Sequence, residues 1–238
     1  MRILAFETSA KAVSTALVEN GLLLGEYLQN NGQTHSRTLM KLAEDLLHNL
    51  DLTPADVDAV ACAAGPGSFT GVRIGVAAAK GFAWGREVPL YGVSTLEAMA
   101  RGAAFADGIY CTAMDARRSQ VYTALFTCHG GVLKRLLDDS ALSLEELGAH
   151  LRALEGEKYL LGDGAALSLE ALNASIPGLR LLPEHLRYQR ASGVALLAWD
   201  MAQAGLQPDG AALAPNYLRL SQAERERLAR QQTEGVTP

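Results

Sequence analysis

The 238-residue chain is short of several things, and each shortage excludes a class. Its three cysteines, Cys62, Cys111 and Cys128, are scattered, odd in number and without a Cys-x-x-Cys pair. That excludes a zinc ribbon and a disulfide framework. No run of about 18 apolar residues occurs, so no membrane span is expected. The opening apolar stretch meets Glu7 after four residues, too short for a signal-peptide core, and a cytoplasmic protein is expected. Lys and Arg number 21 against 26 Asp and Glu, a net charge of −5 with no basic cluster. The electrostatic footprint of a direct nucleic-acid binder is therefore missing. No two of His35, His48, His129, His150 and His185 stand three or four apart, so no helical metal pair exists. No Gly-x-Ser-x-Gly nucleophile elbow and no Walker A loop is present. What remains is an ordinary globular composition, 49% hydrophobic and 20% charged.

The order of elements reads β-β-β-α-β-α-β-α. Runs at 3–7, 13–19 and 22–29 are strand-like, and Asn20-Gly21 between the last two is a strong hairpin signal. Ser36 is the expected N-cap of a helix whose Leu39, Leu42, Ala43, Leu46 and Leu50 recur at helical spacing. The continuous apolar runs 57–64 and 88–93 read as buried parallel strands. Between them lies a helix over about 70–85, and Ser94 with Glu97 predicts a capping box on the next. The second half repeats the scheme weakly: strands at 109–114, 121–127 and 132–137, a helix boxed by Ser143 and Glu146, a short strand at 159–161, and a late helix over 193–204. The expectation is an α/β fold of two lobes, 1–103 and 104–238, each a mixed sheet flanked by helices. The late helix is expected to return to the first lobe, and the tail from Gln222 to be frayed.

The densest motif is Gly65-Pro66-Gly67-Ser68-Phe69-Thr70-Gly71-Val72-Arg73-Ile74-Gly75. It stands between a strand and a helix, where backbone N–H groups can hold an anion. A tight packing turn is an equal reading. In the helix that follows, only Arg73 and Lys80 are charged, and an apolar surface on this scale suggests a protein partner. Leu39, Leu46, Ile74 and Phe82 are candidate partner contacts, with Arg73 at the seam and Gly71 and Gly75 as points of close helix approach. On that reading a charge at Gly75 blocks association and leaves the monomer folded. Glu7-Thr8-Ser9 and Asp115 close the first strand of each half, and with Gly67, Gly162 and Gly164 they are candidate nucleotide or phosphate contacts.

These residues resemble the TsaB (YeaZ) family over about residues 2–220. The Gly65–Gly75 string carries the likeness, with Met114-Asp115-Ala116-Arg117-Arg118 and Pro215-Asn216-Tyr217-Leu218-Arg219. The resemblance implies the two-lobed actin/sugar-kinase/Hsp70 fold and a part in making threonylcarbamoyladenosine in tRNA. It implies a TsaD-type catalytic paralogue as partner, a TsaE-type ATPase in the same complex, tRNA met only through that complex, and a homodimer when the chain is alone. TsaD-like proteins use a Val-Asn-His-x-Glu-Gly-His helix; here the stretch is Val93-Ser94-Thr95-Leu96-Glu97-Ala98-Met99. Thr95 and Met99 at the histidine positions are poor ligands for a hard or borderline metal. The expectation is thus a scaffold subunit with no catalytic residue, metal or cofactor. The competing class is an enzyme of the same superfamily, an ATPase or kinase or a metallo-glycopeptidase, for which sub-millimolar ATP affinity is the discriminating observation.

Overall fold

The computed structural model describes residues 1–208 and 210–219. The tail expected to fray from Gln222 lies outside the described residues. In the first lobe, β1 (Arg2–Glu7), β2 (Val13–Glu19) and β3 (Leu22–Gln29) form the antiparallel meander. Helix α1 (His35–Asn49), β4 (Ala59–Ala63), α2 (Phe69–Arg86), β5 (Leu90–Val93) and α3 (Thr95–Ala103) follow. The sheet order is β3-β2-β1-β4-β5, with β4 and β5 parallel to β1. In the second lobe come β6 (Gly108–Asp115), β7 (Gln120–His129), β8 (Val132–Ser143), α4 (Leu144–Arg152), β9 (Lys158–Leu161), α5 (Ala165–Leu172), β10 (Leu179–Leu181) and α6 (Glu184–Arg187), and α7 (Ala191–Gln203) then returns to the first lobe. Their order is β10-β9-β6-β7-β8, the first lobe's order repeated. This is the two-lobed α/β class that the sequence implied.

The helices form where an apolar face finds a sheet. Leu39, Ala43, Leu46 and Leu47 of α1 meet Leu4, Phe6 and Leu17 in one core. Each such side chain contributes about 1.5–3 kcal/mol relative to exposure. Helix α7 covers the opposite face, where Val194, Ala195 and Ala198 meet Ile3, Ala5, Ala16 and Ala61. The second lobe has one core of its own, around Leu125 and Leu147, and shares another, around Tyr110 and Phe126, with Leu96, Met99 and Ala100 of α3.

Several local expectations shift. Helix α1 starts two residues earlier than Ser36 predicts, with Thr34 at the N-cap and no side-chain cap bond. Ser143 and Glu146 make the predicted box. Ser94 accepts the Glu97 N–H, but the Glu97 carboxylate turns away to the Arg135 guanidinium. The charge partner is worth more to Glu97 than one N–H. The short β10 and α6 had no periodic signal, being three and four residues long.

Candidate functional site

The two lobes face each other across a cleft of about 390 Å³, lined by Ser9, Lys11, Gly67, Phe69 and Lys-free residues of the second lobe from Met114 to Arg117, with Tyr122 and Asp163. Glu7 ends β1 two residues before Ser9 of that lining and is buried to 1% exposure. Its carboxylate accepts the Ser9 N–H at 2.5 Å. Burial nevertheless pushes its carboxyl up to about 7, against the lowering effect of the Ser9 and Thr8 hydrogen bonds. Asp115 holds the same place at the end of β6, but it is part-exposed and takes the Arg117 N–H at 2.7 Å and its guanidinium at 3.1 Å. Those bonds brace a turn in which Arg117, Arg118 and Ser119 all have φ near +60°. Three successive non-glycine residues in the left-handed region cost roughly 1–2 kcal/mol each. The turn stays because its surroundings hold it there.

The candidate phosphate contacts divide. Thr8 donates its hydroxyl to the Gly71 carbonyl at 2.7 Å, and Ser9 accepts the Ser68 N–H through its own carbonyl at 2.7 Å. A Cβ at Gly67 would strike Ser9, and one at Gly162 or Gly164 would strike the backbone of Ala113 to Asp115. Thr8, Gly162 and Gly164 are therefore spent on packing the chain against itself. Gly67, Ser9 and Asp115 line the cleft. The Ser9 side chain is buried beside the Glu7 carboxylate, and Asp115 and Asp163 meet where the Asp115 N–H donates to the Asp163 carboxylate at 3.3 Å. Burial holds the Asp163 carboxyl above its ordinary range.

The partner-contact residues divide as well. Leu39 and Leu46 are 1% and 2% exposed, inside the first lobe's own core, so neither can touch a partner. The α1 stripe that looked too wide for one sheet face is used by that face. Gly71 and Gly75 are also corrected: a Cβ at either would overlap Thr8, so the close approach is to the β1–β2 turn and not to another helix. A charge at Gly75 would attack the fold and so could not report on association. Ile74 and Phe82 are half-buried against the core, and Arg73 is exposed, its Nε donating to the Tyr217 hydroxyl at 2.6 Å.

What the sequence reading missed is the outward stripe of α2. Ala77, Gly81, Trp84 and Gly85 point away from the core, Gly81 and Gly85 have open space before them, and Trp84 is 86% exposed. Beside it, a groove of about 230 Å³ between α1 and α2 is lined by Met40, Ala43, Leu47, His48 and Phe82. Residues 77, 81, 84 and 85 share a face opposite the buried 72, 76, 79 and 83, a phase that the nearly all-apolar sequence of α2 does not itself mark.

At the start of α3, Thr95 is fully buried with an unpartnered hydroxyl, and Met99 lies against the place a Gly162 Cβ would occupy. Nearby, Arg135 joins Glu97 and Asp139, and the Ser94 hydroxyl donates to Asp139 at 2.6 Å. Among the described residues no group of three or more His, Cys, Asp or Glu could hold a metal ion. His35 sits at the start of α1 with Nε2 3.2 Å from the Lys11 carbonyl. The three cysteines are free and buried, and burial pushes the Cys62 and Cys111 thiols up to about 12. No helix among the described residues is long and apolar enough to cross a membrane.

A duplicated mixed sheet with an acid at the end of each first strand defines a two-lobed α/β cleft protein. The family model for TsaD, tRNA N6-adenosine threonylcarbamoyltransferase, matches residues 29–226. Within that broader group the chain belongs to the TsaB (YeaZ) family. It is 32% identical over 225 residues to the tRNA threonylcarbamoyladenosine biosynthesis protein TsaB of Bacillus subtilis, covering 94% of this chain and 96% of that one. It is 35% identical over 167 residues to the protein of the same description from Escherichia coli, covering 69% and 72%. A Pseudomonas aeruginosa crystal structure, described as an uncharacterized protein similar to the peptidase YEAZ, superposes with a TM-score of 0.79 at 26% identity, over 92% of this chain and 99% of that one.

Proposed function

We propose that this chain acts in tRNA threonylcarbamoyladenosine biosynthesis as a non-catalytic subunit that binds and supports a TsaD-type transferase. The observation that carries this reading is the outward face of α1 and α2. Ala77, Gly81 and Gly85 leave room for a helix to approach closely, and Met40 and Trp84 are large apolar groups left in water beside them. Leaving such a patch exposed is unfavourable unless something covers it. The absence of histidine at 95 and 99, and the packing of Thr8, Gly162 and Gly164 against their own chain, support a subunit that lends surface to a catalytic partner. Alone, the same face pairs two copies. The TsaE-type ATPase and the tRNA are reached through the assembled complex.

The test is light scattering behind size exclusion, on the chain alone and mixed with the TsaD-type paralogue from the same source. A homodimer that exchanges into a one-to-one heterodimer supports the reading. Gly81→Arg fills open space, so it should leave the melting temperature near that of the parent and weaken association by about 100-fold or more. Persistent association in Gly81→Arg, or a parent chain indifferent to the paralogue, overturns it.

A further inference from the structure

The segment 210–219 returns across the first lobe after α7. Gly210 lies on Leu90, and Leu213 on Gly92, where a side chain at 92 would collide with it. This covers the open edge of β5. Asn216 donates its N–H to the Ala64 carbonyl at 2.6 Å, and its own carbonyl fills the space over Gly65. Tyr217 then stacks on Phe69, ring centroids 4.2 Å apart and planes within 9°. Arg73 donates to the Tyr217 hydroxyl and lies 5.5 Å from its ring centroid. Lys80 donates to the Ala211 carbonyl at 3.3 Å. Two of the three charges on α2, Arg73 and Lys80, thus anchor this segment. One residue further crosses to the second lobe: Arg219 donates to the Ala116 carbonyl at 2.9 Å, in the turn held at φ near +60°.

Phe69 and Ala116 are the facing walls of the cleft. Elsewhere the lobes meet through α3, which packs on β6, β7 and β8 and is tied to β8 by Glu97–Arg135 and Ser94–Asp139. We propose that residues 210–219 are a latch: rooted on α2 by the Tyr217–Phe69–Arg73 stack and closed by Arg219 on Ala116, they fix the angle between the lobes and hence the width of the cleft. The root is strong, since the Tyr217–Phe69 stack is joined there by the Arg73 bond to the Tyr217 hydroxyl and the Asn216 N–H bond to Ala64. The closure is a single hydrogen bond, from the Arg219 guanidinium to Ala116. The latch therefore breaks first at Arg219, and the segment stays on α2 while the cleft opens. Two packed bodies joined through α3 and released at Arg219 are free to hinge.

The test is a distance between spin labels on the full chain, at Thr70→Cys on α2 and Ala166→Cys on α5. Both positions are exposed and the three native cysteines are buried, so labelling is selective. With the latch intact a single narrow distance is expected. Tyr217→Ala with Arg219→Ala should broaden the distribution by roughly a factor of two or more toward longer distances. Arg219→Ala alone should broaden it less, and it keeps the test open if the double variant does not fold. Tyr217→Phe, which keeps the stack, should stay narrow. A distribution unchanged in Arg219→Ala, or already broad in the parent, overturns the proposal.

Discussion

The two lobes place an acid at the same point of the same strand order and treat it in opposite ways. Glu7 ends β1 and is sealed in, because Gly67, Gly71 and Gly75 let the start of α2 press down on the turn from Thr8 to Ser9. Asp115 ends β6 and stays half-open, because its turn stands free of any long helix and is braced by the carboxylate itself. In the second lobe the corresponding helix, α5, has eight residues against eighteen in α2. The glycines that matter there lie in the preceding loop, where Gly164 donates its N–H to the Ala113 carbonyl at 2.9 Å. Topology therefore decides where a cleft acid stands, and the length and glycine placement of the neighbouring helix decide whether it meets water.

The severest way to break this contrast is Gly71→Val, which drives a branched side chain into the Thr8 backbone. It should cost more than about 3 kcal/mol and lift α2 off Glu7, read by chemical denaturation. Titrating stability against pH sharpens the same point. Glu7 binds its proton more tightly folded, near 7, than unfolded, near the ordinary 4.5. Its contribution is therefore complete below about 4.5 and lost as pH rises to about 7, a fall of about 3 kcal/mol over that window. Glu7→Gln should flatten this slope, and an unchanged slope would mean that another group causes it. In the second lobe, Arg135→Ala strands Asp139, at 12% side-chain exposure, together with Glu97. A loss of about 2–3 kcal/mol by thermal denaturation is expected. The smallest effect has the opposite sign. Gly81→Ala, on the open face of the helix that carries Gly71, should stabilise the monomer by about 0.5–1 kcal/mol. If Gly81→Ala destabilised instead, the inner and outer faces of α2 would be misassigned.

The residues alone determined the meander, both parallel crossovers and the repetition of the scheme, because period-2 and period-3.6 patterns, Asn20-Gly21 and the Ser143–Glu146 box act over a few neighbours. They also determined the family, through a glycine string too specific to arise from packing periodicity, and they placed Glu7 and Asp115 at strand ends beside a cleft. They could not say which face of a nearly all-apolar helix is inside. In α2 the apolar residues surround the axis, so the phase came only from the sheet it lies on, and Gly71 and Gly75 went inward while Gly81 and Gly85 went out. Leu39 and Leu46 lie on the apolar stripe of an amphipathic α1, and the sheet takes up the whole of that stripe. The partners of Arg73, Lys80 and Glu97 lie 144, 131 and 38 residues away. No local rule reaches that far, because those contacts exist only after the chain has folded back across its first lobe.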